Sequence, residues 1–295
     1  MVLRHWVTFI FIHVTGVKVR SEKKVSPREK SMSSANAVVA TGVTTEKLAN
    51  VRKWNLSLTV LHFGQAIAML ALTNDFALKA LSSFPAGPPG TEELFTSTLF
   101  EVRVGWVIGA FLALAGLDHL LTSTIARKTY ETDLKNGINR FRWAEYSISA
   151  SLMVAIISMY WGIVTLAALI AVVGANVAMI LFGWIQEKMN PPGRTSTTMM
   201  PFWFGTLAGI TPWLAMYANI SQIPLDEAPD GLFLIMIVQA IFFFGFGLNQ
   251  WLQYRGVGKW KNYMFGEKTY LILSLGAKSL LAWQIFAVSL IDIPV

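Results

Sequence analysis

From Tyr146 to Gln186 the chain carries no charged side chain. One bilayer crossing needs only about 20 apolar residues, so this run is too long for a single helix and must turn back within a very short connection. Tyr160-Trp161-Gly162 supplies the break. In hydrocarbon, backbone polar groups are satisfied only within helices or closed barrels, which leaves helical spans as the reading. The composition agrees, with 54% hydrophobic and 14% charged residues in 295. Hydropathy places apolar stretches at 54–72, 105–126, 143–160, 163–186, 201–220, 231–254 and 268–291. They predict an all-α fold, a seven-transmembrane helix bundle occupying 51–295 behind a disordered cytoplasmic tail, 1–50. The long segment 73–100, with its FPAGPPG cluster at 84–90, is expected to be an irregular cap or loop.

The tail opens with MVLRHWVTFIFIHVTGV, a short apolar run broken by His13, followed by a basic, Ser-rich segment. No small-residue cleavage site stands near Gly16-Val17, which argues against a signal peptide. A translation start nearer Met32 is the alternative to a true extension. No cysteine is present, which removes disulfides, thiol chemistry and Cys-based metal sites.

The net charge of +7 raises the question of nucleic acid, but the distribution of charge points elsewhere. Of the 24 Lys and Arg, ten lie in 1–53, five in 127–142, two in 187–198 and four in 255–268. The alternate segments hold only Lys79 and Arg103. By the positive-inside rule the amino terminus is cytoplasmic and the carboxyl terminus extracellular. The outer segments carry Asp75, Glu92, Glu93, Asp226, Glu227, Asp230 and Asp292 instead. The basic balance therefore reports topology and contact with membrane lipid, the inner leaflet being anionic, and nucleic acid is not expected as a partner.

Against this apolar background the ionisable residues are conspicuous. Lys278 sits near the middle of the last stretch, and intramembrane charges usually face a bundle interior and mark a functional site. It is either a salt-bridged lysine of a transporter or a lysine attached to an aldehyde as a Schiff base. Glu145 opens the third stretch as its carboxylate, either snorkelling to water or serving as a counterion. His62 and Gln65 share a helix face in the first stretch, and Asp118 and His119 end the second. Counted from the basic boundaries, His62, His119 and Lys278 reach depths of roughly 12–15 Å, with Glu145 shallower on the same side. Together they describe a hydrated polar pocket in the cytoplasmic half. The spacing lacks the i, i+4 pairing of helical metal sites, so no metal is expected.

Several short motifs, AKSLLAWQIFA at 277–287, FRWAEY at 141–146, LDHLL at 117–121, LHFGQ at 61–65 and NQWLQYR at 249–255, resemble those of heliorhodopsins. The likeness covers all the stretches in order, from about 50 to 291. It implies a rhodopsin-type photoreceptor with an inverted orientation, all-trans retinal as cofactor, a homodimer, and a signalling partner of unknown identity on the cytoplasmic side. It implies that Lys278 bears retinal, that Glu145 is the counterion, and that His62, His119, Gln65 and Ser274 line the Schiff-base cavity. Met179, Trp203, Gly209 and Trp283 follow as chromophore-pocket residues. Proton-pumping microbial rhodopsins place a carboxylate, a hydroxyl and a second carboxylate where this chain has Glu145, Ser149 and Ile156, and a further carboxylate where it has Ser274. The missing acids favour a light sensor with a slow photocycle, neither enzyme nor pump. Proton conduction through the polar pocket is the competing function.

The charge asymmetry makes a prediction that needs no light. Protease added to intact cells is expected to remove a tag at Val295 and to spare one at the amino terminus; the opposite pattern would refute the orientation.

Overall fold

The computed structural model describes residues 41–221 and 231–290. Most of the expected tail, including Met32, lies outside the described residues, as do Asp226, Glu227, Asp230 and Asp292. Eight α-helices and one hairpin make up the described fold: α1 Thr45–Leu72, β1 Ala77–Pro85, β2 Leu94–Arg103, α2 Val104–Ser123, α3 Arg127–Lys135, α4 Arg140–Tyr160, α5 Leu166–Met189, α6 Met200–Ile220, α7 Leu232–Arg255 and α8 Tyr263–Ile285. A 3-10 turn, Gly258–Lys261, precedes α8, and a π turn, Phe286–Leu290, follows it. Of these helices five, α1, α2, α5, α7 and α8, are both long and apolar enough to cross a membrane.

The helix boundaries follow from local chemistry. Thr44 caps α1, its hydroxyl accepting from the Lys47 amide at 3.3 Å, so this helix starts inside the segment expected to be tail. Its first turns are held by a small second core in which Val43, Leu48 and Val51 meet Tyr130 and Leu134 of α3 and Met264 of α8. Asn139 caps α4, accepting from the Arg142 amide at 3.1 Å. Between α4 and α5 the chain reverses at Trp161 and Gly162, and Gly162 takes a φ of 79° that side-chain-bearing residues rarely adopt. The uncharged run is thus divided where the sequence indicated. α6 continues through Pro212, whose missing N–H leaves the Ala208 carbonyl without its helical donor.

The outer segment departs from the all-α expectation. It forms an antiparallel hairpin, with Phe84 opposite Phe95 and Lys79 opposite Glu101. The Pro/Gly cluster supplies the connection rather than dissolving the whole segment, because ALKALSSF and LFTSTLFEV on either side are rich in residues that fit a pleated ladder. The Leu81 amide donates to the Val164 carbonyl at 2.9 Å, which bonds the hairpin to the α4–α5 connection. β2 runs into α2 with no intervening residue.

The main core lies toward the hairpin end, where Ile108, Phe111, Leu112, Ile156, Trp161, Met216, Leu281 and Ile285 are buried together. Small residues admit aromatic ones. A Cβ added at Gly183 would fall 2.5 and 2.6 Å from ring carbons of Trp143, whose indole is fixed by a hydrogen bond to Glu187. Gly183→Ala is therefore expected to destabilise the protein by about 1–3 kcal/mol. Gly174, where an added Cβ meets nothing within 4 Å, is the control: Gly174→Ala should leave the thermal midpoint in detergent unchanged or slightly raised.

Candidate functional site

α8 carries Lys278 into the interior, 3% exposed. Its ammonium lies 3.4 Å from the Glu145 carboxylate of α4 and donates to Ser274, one turn earlier on α8, at 2.9 Å. The Tyr146 ring sits beneath it, 4.7 Å from the nitrogen. A cation in a low-dielectric interior needs an anion and hydrogen-bond acceptors close by, and this constellation supplies both. Lys278, Glu145 and Ser274 are thus brought together as the sequence indicated.

Beside Lys278 opens a cavity of about 180 Å³. Its walls come from α4 to α8 and are predominantly apolar: Met153, Val154, Met179, Phe202, Trp213, Phe242, Phe243 and Phe246 among them. Gly205 and Gly209 lie in the wall, and a Cβ at Gly209 would come within 2.4 Å of the Met179 sulfur. Met179 and Gly209 therefore belong to this site. Trp203 does not: it is half-exposed on the outer face of α6, and the ring lining the cavity from that helix is Trp213. Trp283 also lies outside, donating to Gln65 at 3.2 Å on a partly exposed face. Gln65 is drawn to that indole rather than to the lysine.

His62 and His119 are buried and stacked, ring centroids 5.5 Å apart. His119 Nδ1 meets Asn55 Oδ1 at 3.1 Å, whereas neither nitrogen of His62 has a hydrogen-bond partner among the described residues. His119 lines a second, smaller cavity of about 20 Å³ with Asn55, Asp118, Tyr130, Glu145 and Glu267. That volume suffices for one water, and the polar walls suit one. Asp118 is half-buried and faces this cavity, as does the phenol of Tyr130 from α3. Burial pushes the Tyr130 phenol well above its ordinary range, with Glu267 adding to the shift.

Beside this cavity, where α4 and α8 begin and α5 ends, stands a cluster that the sequence did not disclose. Arg142, one of the five basic residues of 127–142 counted above as a topological signal, is 5% exposed and binds Glu187 of α5 through one terminal nitrogen and Glu267 of α8 through the other. Glu187 also accepts from the Trp143 indole at 2.6 Å and the Asn139 amide at 2.9 Å, and Glu267 accepts from the Asn139 side chain at 3.0 Å. The guanidinium lies 3.9 Å from the Tyr270 ring centroid. The available signal was one arginine and two glutamates at three helix ends on the same side, hidden because charges at such ends normally reach water. Among the described residues no group of three His, Cys, Asp or Glu could hold a metal ion.

The heliorhodopsin family model matches residues 51–290. The chain belongs to the heliorhodopsin family. Membership carries a retinal-protein, photoreceptor type of function and an integral membrane location. Among solved structures, the transmembrane domain of the rhodopsin phosphodiesterase from Salpingoeca rosetta is similar, with a TM-score of 0.58, 12% identity, and 90% of this chain and 89% of that one covered. At that identity the likeness is one of fold, and the fold is rhodopsin-like. No curated protein matches significantly.

The residues fit the heliorhodopsin chromophore. A lysine amine opens into an apolar slot walled by aromatic and small side chains, as a conjugated aldehyde requires, and a carboxylate faces the amine.

The buried cluster sets its own test. Arg142→Met leaves the Glu187 and Glu267 carboxylates facing each other without a cation, which should cost about 3–5 kcal/mol. Thermal unfolding in detergent should show the loss, and adding Glu187→Gln with Glu267→Gln to the same variant should restore most of it.

Proposed function

We propose that this heliorhodopsin is a light sensor in which Lys278 bears retinal as a protonated Schiff base, with Glu145 as its counterion. The observation that carries this reading is Lys278 in the wall of the apolar cavity with the Glu145 carboxylate 3.4 Å from its ammonium, both side chains buried. When bound, retinal supplies visible absorption and a light-driven change of shape. The protein's own groups do the rest. Glu145 keeps the nitrogen charged, since a nearby anion favours the cationic form in a low-dielectric site. Ser274 and Tyr146 hold it in place, while Met179, Gly209, Trp213, Phe242 and Phe243 shape the slot and exclude water.

The reading includes seven membrane crossings, with α4 and α6 added to the other five, an amino terminus in the cytoplasm, and a homodimer in the cell membrane. The small cavity shared by Glu145, Asp118, His119 and Glu267 offers a proton a place to rest inside the protein. Internal storage suits a slow photocycle read by a cytoplasmic partner. The same cavity favours proton conduction as the second reading. A sustained light-driven pH change in unbuffered cells, or a photocurrent under voltage clamp, would establish transport; their absence supports the sensor.

The chain supplied with all-trans retinal is expected to absorb in the visible, and Lys278→Ala to be colourless while still folded. Glu145→Gln should absorb further to the red and lose its proton at lower pH. Excitation moves positive charge away from the nitrogen, so the anion stabilises the ground state more than the excited state, and its removal also weakens the cationic form. A folded wild type that stays colourless would overturn the proposal.

A further inference from the structure

Between Leu232 and Leu248, α7 carries one polar side chain, Gln239, in a run otherwise built of aliphatic residues, methionine, phenylalanine and glycine. An amide at that depth is costly unless its hydrogen bonds are met within the protein. Gln239 is 3% exposed, lines the large cavity, and donates through Nε2 to the main-chain carbonyl of Ala277 at 3.4 Å. Ala277 is the residue immediately before Lys278. Its carbonyl lies inside α8, where the i to i+4 ladder already engages one lone pair. The bond from Gln239 is therefore not needed to form the helix; it joins α7 to the peptide group that carries the lysine.

Two further amides of α7 have different work. Asn249 donates to the Gly266 carbonyl at 3.2 Å and accepts from the Trp260 indole at 2.7 Å, and Gln250 donates to Gly183 of α5 at 3.2 Å. These fasten the cytoplasmic end of α7. Gln239 alone reaches α8 at the level of the site, next to Phe242 on the cavity wall.

We propose that Gln239 is a positioning residue that couples Lys278 to α7. Its hydrogen bond fixes the peptide group preceding the lysine in the dark, and displacement of Lys278 in the light breaks or lengthens that bond, releasing α7 from α8 beside the cavity. This rests on the retinal reading of the site. The bond is long and its donor is a flexible side chain, which suits a contact made in one state and lost in another. A change at one carbonyl thereby becomes a change in how two long helices are joined.

The test uses the full-length pigment in membranes, with glutamine side-chain amides labelled with carbon-13. Light-minus-dark infrared spectra of the wild type should contain a label-shifted side-chain carbonyl band, and Gln239→Met, similar in size but without a donor, should lack it. Loss of one interhelical hydrogen bond should change dark-state recovery by about threefold. Asn249→Leu is the comparison: it removes two α7 hydrogen bonds, to the Gly266 carbonyl and from the Trp260 indole, at a residue that does not line the cavity, so thermal stability should fall while recovery and the glutamine band stay as in the wild type. A coloured wild type whose difference spectrum holds no glutamine signal would overturn the coupling, even if Gln239→Met fails to fold. Wild-type recovery and an unchanged band in Gln239→Met would do the same. A colourless wild type would instead remove the retinal reading on which the inference stands.

Discussion

Arg142 is the fixed point of the half of the bundle opposite the hairpin. A buried guanidinium persists only when anions and acceptors surround it, and here Glu187 and Glu267 come from two other helices to meet it. The consequence reaches the site through helix geometry. Glu145 lies three residues after Arg142, on the same face of α4. Once Arg142 is locked between α5 and α8, the rotation of α4 is set, and Glu145 is aimed at Lys278. Asn139 strengthens the arrangement by capping α4 while bonding both glutamates, so the start of the helix and the orientation of its carboxylate are decided by one set of contacts.

The cavity depends on a complementary device, the absence of side chains. Gly205 and Gly209 on α6 let Phe182 and Met179 of α5 come close, and at Gly276 of α8 an added Cβ would lie 2.5 Å from the Phe242 ring. Glycine costs helix stability, by roughly 1 kcal/mol relative to alanine, so its use on helices facing one another needs a return in packing. Here the return is a slot bounded by rings and thioether, with polar groups confined to a few positions along its wall.

Much of this was legible in the sequence because charge in an apolar stretch has few explanations. Lys278 and Glu145 were found that way, Ser274 came only from the family resemblance, and the structure joins all three. The walls were harder to read, since a lipid-facing surface and the lining of a slot both call for apolar side chains, and a helix apolar all round gives no direction. Trp203 and Trp213 stand on the same helix, yet one faces outward and the other lines the cavity. Gln65 and Trp283 were each assigned to the pocket, and instead satisfy one another. Arg142 was misread because its position at a helix end matched a topological marker, and only tertiary structure shows that two glutamates close over it. The hairpin escaped notice because the Pro/Gly cluster at its tip spoke louder than the alternating segments around it.

The hairpin has a mechanical meaning. Its second strand passes straight into α2, and its first is bonded to the turn between α4 and α5. The hairpin-side ends of α2, α4 and α5 are thereby yoked by main-chain hydrogen bonds, which do not depend on side-chain identity. Such a yoke behaves as a stator. It stiffens the joined ends of those three helices through contacts that no single side-chain change removes.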